Sequence, residues 1–496
     1  MTASLTYDIG SRGALPLYEF LYQSIRNDIL EGRLIPGEKL PSKRTLSRSL
    51  GVSISTIENA FRQLVLEGYL ESRQRSGHYV QDVGDLPFAP KTKGPEPSNG
   101  TDADGMPAAP NSASNAGRTD FDTIDPLGEP IDESGTTLKA NRTGFQEFPL
   151  ATWFKLMRKV IAENPPDLFD TVPYNGLPVL RNAIARYLLR SRGMKVSPAN
   201  IIIGAGTEYL YGRILQLLSP NTLFAFENPG YHKLAHIADN QRISWTFCNV
   251  DSQGLNVESL RALKADAVHI SPANNFPSGI TMPVARRREL LRWAYEKPER
   301  LIIEDDYDSE LRYTGNIMLP LFASDTHERV IYLNTFSKTL MPSLRISYMI
   351  LPDALLERYR DTMSFYSCTV SGFEQRTLAK FIDEGYLERH IVRLRNHYRK
   401  QRKAVMQAIR SSRLNEKCRI IENNAGTHFL LYVETKMMPS EIKRAAQQND
   451  LELALLSDYS FKSYPIAEKI VVVNYASLSD DNVAETVEKL AQVFSD

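Results

Sequence analysis

The chain has 496 residues, 42% of them hydrophobic and 24% charged, and its 59 basic and 59 acidic residues leave a formal net charge of zero. That length exceeds a single core, so two or more domains are expected, and the balanced charge excludes bulk attraction to nucleic acid, leaving any such partner to be read from local pattern. No run approaches the roughly 20 apolar residues of a membrane span, the N-terminus lacks a basic-then-apolar signal pattern, and Cys248, Cys368 and Cys418 offer no metal spacing; a cytoplasmic protein with reduced thiols, no metal and no membrane partner is expected.

Residues 16–34 place Leu17, Phe20, Leu21, Ile25, Ile29 and Leu30 at helical spacing, with Gly32 near a stop. Pro36-Gly37 makes a turn, Ser42 caps a second short helix, Gly51 ends it, and Ser53 caps a third that carries Ile57, Ala60, Phe61 and Leu64 towards a core. From Glu71 to Val80 the chain reads as a hairpin with a basic tip. Three helices and a basic hairpin make a winged helix-turn-helix, placed at residues 12–81. Residues 1–80 hold 10 basic and 8 acidic side chains, a surplus of only 2, but Lys43, Arg44 and Arg48 on the second helix and Arg73 and Arg75 on the wing are grouped to meet phosphates.

The order Leu40-Pro41-Ser42-x-Arg44-x-Leu46, then Val52-Ser53-x-x-Thr56, then Leu66-Glu67-Gly68-Tyr69-Leu70 and a glycine-containing wing resembles the GntR family of DNA-binding domains. The resemblance implies contacts to double-stranded DNA by Ser42, Lys43, Arg44, Ser53, Ser55, Thr56, Arg73, Arg75 and Gly77, with the third helix in the major groove. Two positions depart from the family: Ile54 stands where Arg is common, and Arg75-Ser76-Gly77 replaces Gly-x-Gly in the wing.

Residues 82–120 are rich in Pro, Gly, Ser, Asn, Asp and Ala and read as a flexible linker. Its central stretch of about 37 residues has a typical reach of about 30–37 Å. From 121 to 496 apolar strands alternate with helical patterns, as an α/β domain requires, with a large part at about 165–355 and a small α+β part at about 356–496.

Within this body Ile201–Ile203 run into Gly204-Ala205-Gly206-Thr207-Glu208 and a helix, a turn that presents N–H groups to an anion. Leu223–Phe226 precede Glu227-Asn228-Pro229-Gly230-Tyr231, and Ala267–Ile270 precede Ser271 to Gly279. Two further runs, Leu301–Ile303 and Val330–Leu333, deliver Glu304-Asp305-Asp306-Tyr307 and Thr335-Phe336-Ser337-Lys338 to one edge of a sheet, where α/β folds place ligands. A lysine after a strand is ordinarily a solvated surface residue.

Here Ser337-Lys338, with a hydroxyl three positions earlier and Arg345 seven later, resembles the pyridoxal-phosphate site of fold-type I aminotransferases. The resemblance implies pyridoxal 5'-phosphate as cofactor, Lys338 as its Schiff-base lysine, and Gly206, Thr207, Thr335, Ser337 and Arg345 around its phosphate. It further implies Asp305 at the ring nitrogen (Asp306 the runner-up), Tyr307 and Asn275 near the ring oxygen, and Tyr231 stacked on the ring. The expected fold is thus a winged helix-turn-helix joined to an α/β, fold-type I transferase with a small α+β subdomain.

A GntR-type head before an aminotransferase-type body resembles the MocR/GabR-type transcription regulators over almost the whole chain. That resemblance implies a homodimer, each head lying against the partner subunit's body, sensing an amino compound or pyridoxal phosphate through Lys338. An active aminotransferase with an accessory head, and a scaffold that has lost cofactor chemistry, are the alternatives. Against the first stands Val472, where aminotransferases carry the arginine that binds the substrate carboxylate; Lys233 is a candidate substitute cation.

Overall fold

The computed structural model describes residues 5, 7, 9–12, 15–73, 76–81, 136–138, 148–163, 165–313, 318–422, 425–461 and 465–495. The expected linker and Arg75 lie outside the described residues.

The head consists of α1 (Leu17–Leu30), α2 (Lys43–Leu50), α3 (Ile54–Leu66) and the hairpin β1 (Leu70–Arg73) and β2 (Gly77–Val80). Each boundary has a local cause. The Ser42 hydroxyl accepts from Thr45 N–H and the Ser53 hydroxyl from Thr56 N–H, both at 3.1 Å, so each serine satisfies an otherwise unpaired donor of the helix it starts. Gly51, at φ 65°, ends α2 in the left-handed conformation that glycine adopts without steric cost. The apolar stripes of α1 and α3 meet through Leu21, Ile25, Ile57, Ala60, Phe61 and Leu64, all wholly buried. Each large side chain there contributes about 1.5–3 kcal/mol, which is what holds so small a domain together.

The body begins with β3 (Thr136–Thr137), α4 (Leu150–Glu163) and α5 (Pro178–Arg192). Strands and helices then alternate: β4 (Ile201–Gly204), α6 (Thr207–Leu217), β5 (Phe224–Asn228), α7 (Lys233–Asn240), β6 (Trp245–Asp251), β7 (Gly254–Leu255), α8 (Val257–Ala262) and β8 (Ala267–Ile270). They continue through α9 (Val284–Tyr295), β9 (Leu301–Asp305), α10 (Leu321–Ser324), β10 (Val330–Thr335) and β11 (Ser347–Ile350). Helices α11 (Asp353–Met363), α12 (Gly372–Asp383) and α13 (Tyr386–Ser411) lead to β12 (Cys418–Ile421), β13 (His428–Val433), α14 (Pro439–Gln448), β14 (Leu451–Glu452), β15 (Ala454–Leu455), β16 (Ile470–Asn474) and α15 (Val483–Val493).

The large sheet has the order β4-β11-β10-β9-β8-β5-β6-β7. The five strands from β10 to β6 are parallel, while β11 runs antiparallel to both β4 and β10. Strands β4, β5, β8 and β10 are buried along their whole length, which is why the sequence shows them as short unbroken apolar runs rather than alternations. Because they are parallel, their carboxyl ends share one edge, and Gly204, Asn228, Ile270, Asp305 and Thr335 arrive there together.

A second sheet, β12-β13-β16-β15, is antiparallel and packs on α13, α14 and α15. β3 pairs in parallel with β14, and Leu138 joins the core of this C-terminal subdomain. The chain thus contributes to its small subdomain from a point far upstream, which no local pattern in the sequence announces.

Candidate functional site

The edge where the parallel strands end is hollowed into a cavity of about 250 Å³. Tyr231, Asp305, Tyr307, Thr335, Ser337, Lys338, Arg345 and Thr207 all line it. The loops after four different strands are brought to one cavity. Two expected residues stand behind the wall. Gly206, at φ 96°, lies under the Arg345 guanidinium, which occupies the space a side chain would need. Asn275 is buried, with its backbone N–H on Ile280 and its side-chain oxygen accepting from Ser278; its neighbour Phe276 takes the lining position.

Lys338 sits among Asp305 and Asp308, but burial dominates and pulls its amine from 10.5 down to about 8. Asp308, also buried, is pushed up to about 8 and accepts a hydrogen bond of 2.7 Å from Asn274 Nδ2. Tyr307 donates to the Asn274 carbonyl at 3.0 Å, which fixes its ring across the cavity. Tyr231 stands edge-on to Phe276 with ring centroids 6.0 Å apart.

The three consecutive carboxylates at the end of β9 have three different partners. Glu304 accepts from the N–H groups of Leu321 and Phe322, at 2.7 and 2.8 Å, and so caps α10. Asp306 pairs with Arg192, both side chains 1% exposed, and accepts from the Tyr332 hydroxyl at 2.7 Å. Asp305 alone of the three turns to the cavity, with its Oδ2 3.6 Å from His269 Nε2. Between the two aspartates that the sequence offers, the ion pair of Asp306 removes it from the cavity.

Pyridoxal phosphate can be tested against these residues. Asp305 Oδ1 and Ser337 Oγ are buried and have no hydrogen-bond partner among the described residues, a condition that costs free energy unless a ligand relieves it. A carboxylate oxygen suits a protonated ring nitrogen and a hydroxyl suits a phosphate. Thr335 Oγ1 accepts from Ser337 N–H at 3.1 Å and from Ser347 Oγ at 2.7 Å, which leaves its own proton to donate. The N-terminus of α6 and Arg345 complete an anion cradle. The residues fit the cofactor.

Glu208 lies between two cations, 3.5 Å from Lys233 and 3.7 Å from Arg345, all three substantially exposed. Lys233 lines the cavity but is directed at this carboxylate. Val472 is wholly buried between Leu430 and Ile470 in the small subdomain, so an apolar side chain stands where a carboxylate clamp is expected.

His269, Glu227, Ser271 and Phe276 also line the cavity and were not anticipated. Glu227 accepts from Ser271 N–H at 3.0 Å, and burial pushes its carboxyl up to about 8. Strand position was the available signal: His269 is one residue from the end of β8 and faces the neighbouring β9.

In the head, Ser42, Arg44, Ser53 and Ser55 are exposed and Thr56 is half-buried on the side of the two helix N-termini. Lys43 is bound to Glu58 at 2.7 Å, so it also ties α2 to α3. Arg73 pairs with Glu71 and lies over the Tyr79 ring, 4.5 Å from its centroid. Gly77, at φ 111°, starts the return strand of the wing.

A winged head on a fold-type I body defines a class: transcription regulators built on an aminotransferase framework. Residues 17–80 match the pattern of bacterial regulatory proteins of the gntR family, and residues 136–490 that of aminotransferase class I and II. The chain is 34% identical to the uncharacterized HTH-type transcriptional regulator YdeL of Bacillus subtilis over 96% of either chain. It is 29% identical to the probable rhizopine catabolism regulatory protein MocR of Rhizobium meliloti, covering 97% of this chain and 94% of that one. It is 30% identical to the pyridoxine biosynthesis regulator PdxR of Corynebacterium glutamicum over 83% and 82%. Among solved structures, kynurenine aminotransferase of Pyrococcus horikoshii superposes with a TM-score of 0.64, covering 73% of this chain and 91% of that one at 23% identity. The chain belongs to the MocR subfamily of GntR-type transcription regulators.

Proposed function

We propose that the chain is a pyridoxal-phosphate-dependent DNA-binding regulator that senses an amino compound, or pyridoxal phosphate itself, at Lys338. The observation that carries this reading is the pair of buried atoms, Asp305 Oδ1 and Ser337 Oγ, that have no partner among the described residues and flank a lysine whose amine is lowered to about 8, close enough to physiological pH to supply the neutral form. When bound, the cofactor supplies an aldehyde for Lys338 and a ring that withdraws electrons. The protein's part would be to hold the ring nitrogen's proton with Asp305, to stack Tyr231 on the ring, to meet the ring oxygen with Tyr307, and to anchor the phosphate with Thr335, Ser337, Arg345 and α6.

The buried Val472 disfavours an effector held by its carboxylate in the usual way and disfavours ordinary transamination. The name of the Corynebacterium relative, a regulator of pyridoxine biosynthesis, supports the cofactor as the signal. No helix among the described residues is long and apolar enough to cross a membrane, in keeping with a cytoplasmic regulator. A homodimer is supported by Leu150, Phe154 and Ile161, exposed on one face of α4.

DNA from the protein's own upstream region, titrated with and without pyridoxal phosphate while absorbance is followed, tests the reading. An absorbance band together with cofactor-dependent affinity is expected. A band with indifferent affinity transfers the signal to an amino compound, and absence of any band refutes the site.

The depressed lysine gives a second expectation. Only the neutral amine attacks an aldehyde, so cofactor uptake should accelerate as pH rises through about 8 and level off above about 9. A stopped-flow profile still climbing towards 10.5 would show Lys338 to be solvated.

A further inference from the structure

The head rests on the body at one place that the reading above does not use. The carbonyl of Glu67, at the end of α3, accepts from the N–H of Val284, the first residue of α9, at 2.9 Å. A side-chain carbon on Gly68 would come within 2.9 Å of Pro283 Cβ. Val284 is 5% exposed and belongs to the core of the head rather than that of the body. Around this contact the head presents Glu67, buried and bonded to Gln63 and to the Tyr22 hydroxyl, and the body presents Arg287 and Arg312, both buried.

Val284 ends the loop that runs from β8 to α9, and the other end of that loop is the cavity wall. Ser271 and Phe276 line the cavity, while the Pro277 carbonyl is 2.9 Å from His428 Nε2 of the small subdomain. Phe276 also meets Tyr459 edge-on, with centroids 5.1 Å apart. The loop is stiff. Met282 N–H reaches the Pro272 carbonyl at 2.9 Å, and Arg287 bonds both the Met282 carbonyl, at 2.9 Å, and the Pro272 carbonyl, at 3.0 Å. One guanidinium thus pins the two ends of the loop together directly beneath the head.

We propose that the N-terminal edge of α9 is the docking surface for the GntR-type head, and that the Ser271–Pro283 loop transmits occupancy of the Lys338 cavity to that docked head. The inference rests on the proposed reading of the cavity. A ligand that displaces Phe276, or draws the small subdomain in through His428 and Tyr459, moves a stiff loop whose far end carries Pro283 and Val284. Coupling of this kind requires only that the two seatings of the head differ in free energy with the cavity filled and empty.

The test uses the full-length protein with pyridoxal phosphate as probe, read by absorbance, by amide hydrogen exchange over residues 64–70, and by affinity for the upstream DNA. Val284→Asp keeps α9 intact, since an acidic residue suits the first turn of a helix, but sets a carboxylate against the head's core and Glu67. In the wild type, cofactor should change exchange at 64–70 and shift DNA affinity by about 5-fold or more. In Val284→Asp the absorbance change should persist while the exchange response disappears and the affinity shift falls below about 2-fold. Val284→Ala, which removes contact without adding charge, should fall between the two. A Val284→Asp protein with the wild-type shift overturns the proposal, as does a wild type whose absorbance changes while residues 64–70 stay unaltered. A wild type with no absorbance change refutes the reading of the cavity and this coupling with it.

Discussion

Lys338→Ala should abolish the cofactor's protein-linked absorbance band and weaken retention of pyridoxal phosphate by about 100-fold or more, equivalent to about 2.8 kcal/mol. The phosphate cradle and Asp305 remain in that variant, so binding falls without vanishing, and dialysis followed by cofactor assay measures what is left. The lysine contributes little to folding. It is half-buried, and its loss relieves the cost of desolvating an amine beside Asp308. An unchanged unfolding curve is therefore the companion expectation. A variant that retained cofactor as well as the wild type would remove Lys338 from the centre of the site.

The largest stability effect belongs to a residue the cavity never touches. Arg192 and Asp306 are each 1% exposed, and Asp306 also receives the Tyr332 hydroxyl. Removing the arginine strands a charge in the interior, and Arg192→Ala should cost about 3–5 kcal/mol. Combining Arg192→Met with Asp306→Asn removes both charges and should recover most of that loss, because replacing a whole buried pair is far cheaper than breaking one. Trp153, Trp245 and Trp293 are the chain's three tryptophans and all lie in the body, so intrinsic fluorescence during urea unfolding reports this region without interference from the head. A single variant as stable as the wild type would show that solvent reaches the pair.

These two residues also mark where the sequence was readable. The two capping serines and the glycine at the end of α2 act through neighbours a few positions away, so spacing exposed them, whereas the Lys338 stretch stood out only through its resemblance to an aminotransferase site. Asp305 and Asp306 are adjacent and chemically identical, and what separates their roles is an arginine 114 residues upstream of Asp306. His269 was missed for a related reason: a histidine in an apolar strand resembles a tolerated core residue until β9 is placed beside it. Nothing local distinguishes Val284 from another apolar residue, and its membership in the core of another domain is visible only when the chain is folded. The small subdomain's dependence on Thr136–Leu138 likewise follows from a strand pairing with Leu451–Glu452, which local periodicity does not encode.

Helix α3 is seated on the body at its last turn and offers its first turn, with Ser53, Ser55 and Thr56, to the outside. Its 13 residues make a rod, about 20 Å long. Pivoted at its base, such a rod turns a tilt of about 3° into a displacement of about 1 Å at the far end. Hydrogen bonds to bases and phosphates hold within a window of roughly half an ångström. A lever of this length converts a movement too small to disturb the packing at its fulcrum into the difference between contacts made and contacts missed.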